Sequence, residues 1–189
     1  MRAKTCKICR IKFVPSRPMQ VVCGPQCANA YAWREKTKAE VVAAREDRKT
    51  VRLRKDAIKT RREWIREAQV AFNAYIRERD RNKSCICCGE PLDGVQGSTG
   101  GLFDCGHYRS VGSAPHLRFD ERNAHGQRKQ CNRYGAGRAV DYRLGLIQRI
   151  GMEEVESVES DNKSRKWSVD ELKAIIATYK QKLKELKGG

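Results

Sequence analysis

The apolar positions change period several times along this chain, and each change predicts a different element. Trp64, Ala68, Phe72, Tyr75 and Ile76 recur at three- and four-residue intervals, placing them on one face of an amphipathic helix. Leu172, Ile175, Ile176, Tyr179, Leu183 and Leu186 do the same near the end of the chain. Ser168 and Glu171 precede that run with capping-box spacing, so the last helix is expected to start there. A third periodic run spans about Ala139 to Ile150 and stops at Gly151, a residue suited to ending a helix. Residues 34 to 66 lack this patterning. They contain no Gly or Pro and are rich in helix formers, but few apolar residues recur at heptad spacing. This stretch predicts a solvated basic helix or a partly disordered linker, not a coiled coil. Residues 83 to 135 are rich in Gly, Cys, His and turn formers, which predicts short strands and loops.

Charge narrows the class of partner. The 189 residues include 40 Lys and Arg against 23 Asp and Glu, a formal net charge of +17. A surface this basic favours a polyanion, nucleic acid above all. No apolar run approaches the roughly 20 residues of a membrane span. The N-terminal MRAKTCKICR lacks the apolar core of a signal peptide, so a cytoplasmic location with reduced thiols is expected. Nine cysteines in a reducing compartment point to metal before disulfides. Cys6-x-x-Cys9 and Cys23-x-x-x-Cys27 each offer two thiolates from one tight turn, the pattern of a structural zinc site. Acid–base pairs such as Glu46 with Lys49 and Asp56 with Lys59 fit the surface of the following helix. That helix is either a spacer or a phosphate-binding arm. The expected fold is mainly α with small zinc-bound β elements. Its expected divisions are a zinc-binding unit at 1–33, a basic helical linker at 34–66, and a third domain at 67–189.

The third domain carries the candidate chemistry. Cys85-x-x-Cys88 and Cys131 offer three further thiolates, and Asp104, His107, Asn123, His125 and Asn132 lie among them or next to them. Carboxylate and amide oxygens suit Mg²⁺ or Mn²⁺, and a neutral imidazole can deprotonate water near pH 7. Together these types suit metal-assisted phosphodiester hydrolysis.

The order Cys-x-x-Cys, Asp-x-x-His, Asn and a final Cys-Asn resembles the HNH, or ββα-metal, nuclease motif. Asp104-x-x-His107 with Cys131-Asn132 is similar to the arrangement in the phage endonuclease VII. Over nearly its full length the chain resembles the phage NinG (Rap) family, in FNAYIRERDR, GHYRS, APHLRFDERN and the helix containing KWSVDELKAI. The resemblance implies an HNH-like core and a structure-specific endonuclease acting on Holliday junctions and D-loops in an infected bacterial host. It implies His107 as general base, Asp104 and Asn132 as ligands of the catalytic cation, and Asn123 as a brace for the loop that orients His107. It also implies that Cys85, Cys88 and Cys131 hold a second structural zinc.

Two positions depart from the family pattern. Arg128 stands where a fourth zinc thiolate is normal, leaving His125, Cys87 or Cys105 as substitutes, with His125 preferred as a good zinc ligand. Cys105 replaces a small apolar residue and would set a soft thiol beside a hard-metal site. Arg109, Arg118 and Arg122 are candidate phosphate contacts, and His116 reads as an ordinary loop histidine. Cutting a two-fold junction on opposing strands makes a homodimer plausible. The alternative is a non-catalytic, zinc-containing DNA-binding recombination accessory protein, distinguished only by Asp104, His107 and Asn132. A zinc-linked protein-interaction adaptor would leave the positive charge unexplained.

Overall fold

The computed structural model describes residues 1–92, 103–135 and 137–188; the rest of the predicted turn-rich stretch, 93–102, lies outside the described residues. The chain divides into two units, Met1–Lys59 and Thr60–Gly189. The fold is mainly helical, with two small antiparallel sheets.

In the first unit, β1 (Lys4–Thr5) pairs with β2 (Lys12–Phe13) in the register Lys4 to Phe13 and Thr5 to Lys12. The turn between them is closed by Arg10, whose φ of 65° lies in the left-handed region and whose amide donates to the Cys6 carbonyl. α1 (Pro25–Ile58) opens with proline in its first turn, where the missing N–H costs nothing. It contributes no buried residue along its 34 positions. Charge and helix propensity, not burial, shape this element. The divide expected after residue 33 falls inside α1, which ends at Ile58.

The second unit begins at Thr60, whose side chain accepts from the Glu63 amide while Glu63 reaches back to the Thr60 amide. This capping box starts α2 (Arg61–Arg79). α2 buries the predicted Trp64, Ala68, Phe72, Tyr75 and Ile76, and packs against α5 (Val169–Gly188). Phe72 meets Tyr179 edge-on at 4.8 Å, and the Tyr179 hydroxyl donates to the Phe119 carbonyl at 3.0 Å. α5 starts at the predicted place, with the Ser168 amide donating to Glu171 at 2.7 Å.

A pair of strands lies against α2. β3 (Phe103–His107) and β4 (Ala124–Arg128) are antiparallel, with Asp104 opposite Gln127 and His107 opposite Ala124. Past β4 the chain makes one π-helical turn at Gln130–Tyr134. α3 (Ala139–Ile150) and α4 (Met152–Ser160) follow, separated by Gly151 at a φ of 87°. α3 approaches the Cys85 turn so closely that a Cβ on Gly145 would stand 1.8 Å from the Ile86 carbonyl oxygen. Glycine is required there. No helix among the described residues is long and apolar enough to cross a membrane.

Candidate functional site

The cysteines gather into two clusters that can hold zinc. Sγ atoms of Cys6, Cys9, Cys23 and Cys27 all lie within 4.8 Å of one another. Cys9 to Cys23 and Cys23 to Cys27 are both 3.6 Å. Four thiolates at zinc bond length stand about 3.8 Å apart in a tetrahedron, so this donor set fits the ion. Burial opposes ionisation of Cys6, but amides of Ile8, Cys9 and Cys23 outweigh it and lower its pKa to about 6. Cys85, Cys88 and Cys131 form the second cluster, again within 4.8 Å. The neighbouring Cys87 thiol lowers Cys85 to about 4, against burial and with help from backbone amides. One of those amides belongs to Arg128, 3.3 Å from Cys85 Sγ. Arg128 thus supports one of the three thiolates through its backbone, and its guanidinium pairs with Glu90.

His125 does not join this second cluster, contrary to expectation. Its Nε2 lies 3.2 Å from the Arg122 carbonyl and its Nδ1 3.1 Å from the Arg79 guanidinium, so both nitrogens are engaged. The cause is Asp80, which is fully buried and surrounded by Arg79, Lys83, Arg149 and His125. Burial alone would raise the Asp80 carboxyl; contacts with His125, Arg79 and Lys83 hold it well below the usual carboxylate range. Asp80 also accepts from the Gly126 amide at 2.8 Å, tying the end of α2 to β4. Sequence reading missed this anchor, although Asp80 sits in the FNAYIRERDR stretch.

His107 is half-buried at the end of β3, its ring centroid 6.0 Å from that of Phe72. Its Nε2 is 3.0 Å from the Arg118 carbonyl oxygen. A carbonyl only accepts, so Nε2 carries the proton and Nδ1 is the basic nitrogen. Nδ1 has no hydrogen-bond partner among the described residues. Burial lowers the His107 pKa, against the hydrogen bond to the Arg118 carbonyl, so the ring is neutral near pH 7. Asn123 is fully buried and braces this loop: it accepts from the Arg109 amide at 2.8 Å and donates to the Arg109 and Leu117 carbonyls.

Asp104 and Asn132 do come together, with Asn132 Nδ2 3.3 Å from Asp104 Oδ2. Their oxygens are hard donors of the kind Mg²⁺ and Mn²⁺ take. A second cation already faces the carboxylate, however: Arg133 grips Asp104 with both arms, at 2.7 and 3.0 Å. The single Asp104–His107–Asn132 centre expected from the sequence is not what the strand produces. Side chains alternate along β3, so residues three apart point to opposite faces, with Cα atoms roughly 10 Å apart. Cys105 and His107 face Phe72 and α2, while Asp104 lies on the other face with Gly106. A Cβ added to Gly106 would stand 2.9 Å from the Gln127 Cβ, so this position favours glycine. Cys105 is likewise not a soft ligand beside Asp104. It is a core thiol, pushed up to about 12 by burial.

The three arginines expected on phosphates have intramolecular partners instead. Arg109 donates to the Val158 and Glu159 carbonyls and to Asn162, capping the exposed end of α4. Arg118 reaches Gln69 and the Val111 carbonyl. Arg122 chelates Asp120 and pairs with Glu154 at 2.9 Å. His116 Nε2 donates to the Asp161 carbonyl at 2.7 Å, at the same α4 terminus, consistent with a structural place.

Comparison with known proteins accounts for nearly the whole chain. The family model described as Bacteriophage Lambda NinG protein matches residues 1–188. The protein ninG of Salmonella phage P22 is 43% identical over 190 residues, covering 95% of this chain and 90% of its own length. That of Escherichia phage lambda is 42% identical with the same coverage, and that of Escherichia phage 933W is 42% identical over 97% of this chain and 94% of its own. No solved structure matches.

Proposed function

The chain belongs to the NinG family of phage proteins, and from that premise we propose that it is a divalent-metal-dependent endonuclease acting on branched DNA. The observation that carries this reading is the state of His107. The ring is anchored through Nε2, its loop is braced by the buried Asn123, and Nδ1 is left as an unpartnered base. His107 Nδ1 takes a proton from water, the water oxygen attacks phosphorus, and the bond to the 3′-oxygen breaks, that oxygen being reprotonated from solvent. Asp104 and Asn132 would hold the divalent cation, which supplies positive charge to the phosphate and the leaving oxygen. To do so, Asp104 must exchange Arg133 for that cation, and the phosphate must reach both His107 and the opposite, Asp104 face of β3.

A zinc-bearing DNA-binding accessory protein is the competing reading. It is favoured by the Arg133 ion pair and by the opposite facing of Asp104 and His107 on β3. Incubation of zinc-replete protein with a labelled four-way junction and a linear duplex, each with Mg²⁺, Mn²⁺ or no added cation, separates the two. The endonuclease reading expects cation-dependent cutting of the junction, lost in His107→Ala. Its acid limb should lie below the ordinary imidazole value of 6.5, because His107 is protonated only below its lowered pKa. Binding without cutting would leave the accessory reading, and equal cutting of both substrates would remove branch specificity.

A further inference from the structure

The predicted phosphate contacts of the second unit are all engaged internally, which raises the question of where a chain of net charge +17 presents free cations. A cleft in the first unit answers it. Lys7 and Arg10 project from the cysteine turn, and Tyr31, Arg34, Glu35 and Lys38 line the opposite wall from α1, around a cavity of about 360 Å³. Residues 31, 34, 35 and 38 follow the three- and four-residue intervals of one helix face. The Lys7 ammonium lies over the Tyr31 ring, 5.6 Å from its centroid.

Four cations and a single carboxylate therefore line the cleft. None of the four has a carboxylate partner among the described residues. This contrasts with Arg122, Arg133 and Arg143, each bound to an acid at 2.7 to 2.9 Å. Mutual repulsion among four unpaired cations opposes folding unless an anion offsets it. The positions are also fixed rather than free to spread. Lys7 follows Cys6 and Arg10 follows Cys9 directly, and Arg10 occupies a left-handed conformation that places it on the cleft side of the turn.

We propose that this cleft is a nucleic-acid phosphate site, in which Lys7, Arg10, Arg34 and Lys38 contact consecutive backbone phosphates of DNA and Tyr31 positions Lys7. The assignment rests on the proposed DNA substrate but not on cleavage. The cysteine cluster is what shapes it: zinc at Cys6, Cys9, Cys23 and Cys27 fixes the turn against the start of α1, and so fixes the spacing of the cations. Site and metal are then linked, and zinc in this unit serves DNA affinity as well as folding.

The test is fluorescence anisotropy of a labelled four-way junction across a NaCl series, with zinc-replete full-length protein and no added Mg²⁺ or Mn²⁺. Lys7→Gln, Arg10→Gln, Arg34→Gln and Lys38→Gln are combined. The control removes the same charge from the exposed Arg45, Arg48, Arg54 and Lys55 farther along α1. Loss of three to four phosphate contacts should flatten the slope of log K against log salt by about 3, at roughly 0.9 per phosphate. The control should flatten it by less than half of that. Equal flattening by the two sets would reduce the effect to net charge and overturn the site, as would no change in the first set. Zinc content per chain checks folding. Arg34→Gln with Lys38→Gln, which leaves the cysteine turn untouched, should give about half the effect and tests the site even if the fourfold variant misfolds. A protein that binds through the cleft yet cuts nothing would sink the endonuclease reading alone. One that cuts while ignoring these residues would sink the cleft alone.

Discussion

Arg109 and Arg34 carry the same guanidinium into opposite circumstances. In the second unit, Arg109 satisfies the carbonyls at the end of α4, and Arg79, Arg122, Arg133, Arg143 and Arg149 each face a carboxylate. In the first unit, Arg34 lies on a helix without a single buried residue and faces a cleft with three other cations. The difference follows from how each unit is held. The second has an aromatic core at Phe72, Phe119 and Tyr179, so charged side chains can be drawn into partly dry networks around it. The first buries only Cys6 and Pro15. It has no core to organise its charges, and a four-cysteine cluster able to hold zinc stands where burial is missing. Positive charge in a sequence is thus a weak guide to DNA contact until its partners are known.

Zinc removal should separate the units most sharply. Structural zinc in short peptides contributes roughly 10 kcal/mol or more, and nothing else in residues 1–24 replaces it. Chelation should abolish amide-exchange protection around Cys6 and Cys23 and remove most junction affinity, while α2 and α5 stay protected. Metal analysis should give two zinc ions per chain, the one at Cys85, Cys88 and Cys131 leaving first because three thiolates hold it. Protection lost equally in both units would mean that the second unit also depends on zinc for its core.

Asp80→Ala should rank next, and confine its damage to the second unit. Removing one partner from a buried ionic network costs about 3–5 kcal/mol, read by chemical denaturation. Acid should act through the same group. A carboxylate whose folded pKa is lowered stabilises the fold fully above its unfolded value of about 4, and loses that contribution as pH falls further. The wild type should therefore lose stability below pH 4 more steeply than Asp80→Asn. Arg122→Gln should have the smallest effect, about 1 kcal/mol or less for a partly exposed pair. If it weakened junction binding severalfold instead, the contrast between the units would fail.

What the sequence disclosed depended on the range of the interaction. α2, α3 and α5 were legible because apolar period and capping are local, as at Ser168 and Glu171. The cysteine clusters were legible because zinc imposes short ligand spacings, as at Cys6 and Cys9. α4 was not predicted; its nine residues carry only Val155 and Val158 into the interior. The Asp80 network joins residues 45 or more positions apart, and no local pattern announces that His125 will turn to it instead of to the thiols. The separation of Asp104 from His107 is a different case. Period-two alternation settles it once both are known to share a strand, and only the bounds of β3 were lacking.

The most direct test of the division between the units compares two charge-matched variants of the full-length protein on one four-way junction. Arg34→Gln with Lys38→Gln removes cations from the cleft, and Arg118→Gln with Arg122→Gln removes cations from the second unit. Across a NaCl series, the first pair should lower the slope of log K against log salt by about 2, at roughly 0.9 per phosphate contact. The second should leave the slope unchanged. A slope lowered by the second pair and not by the first would contradict the account.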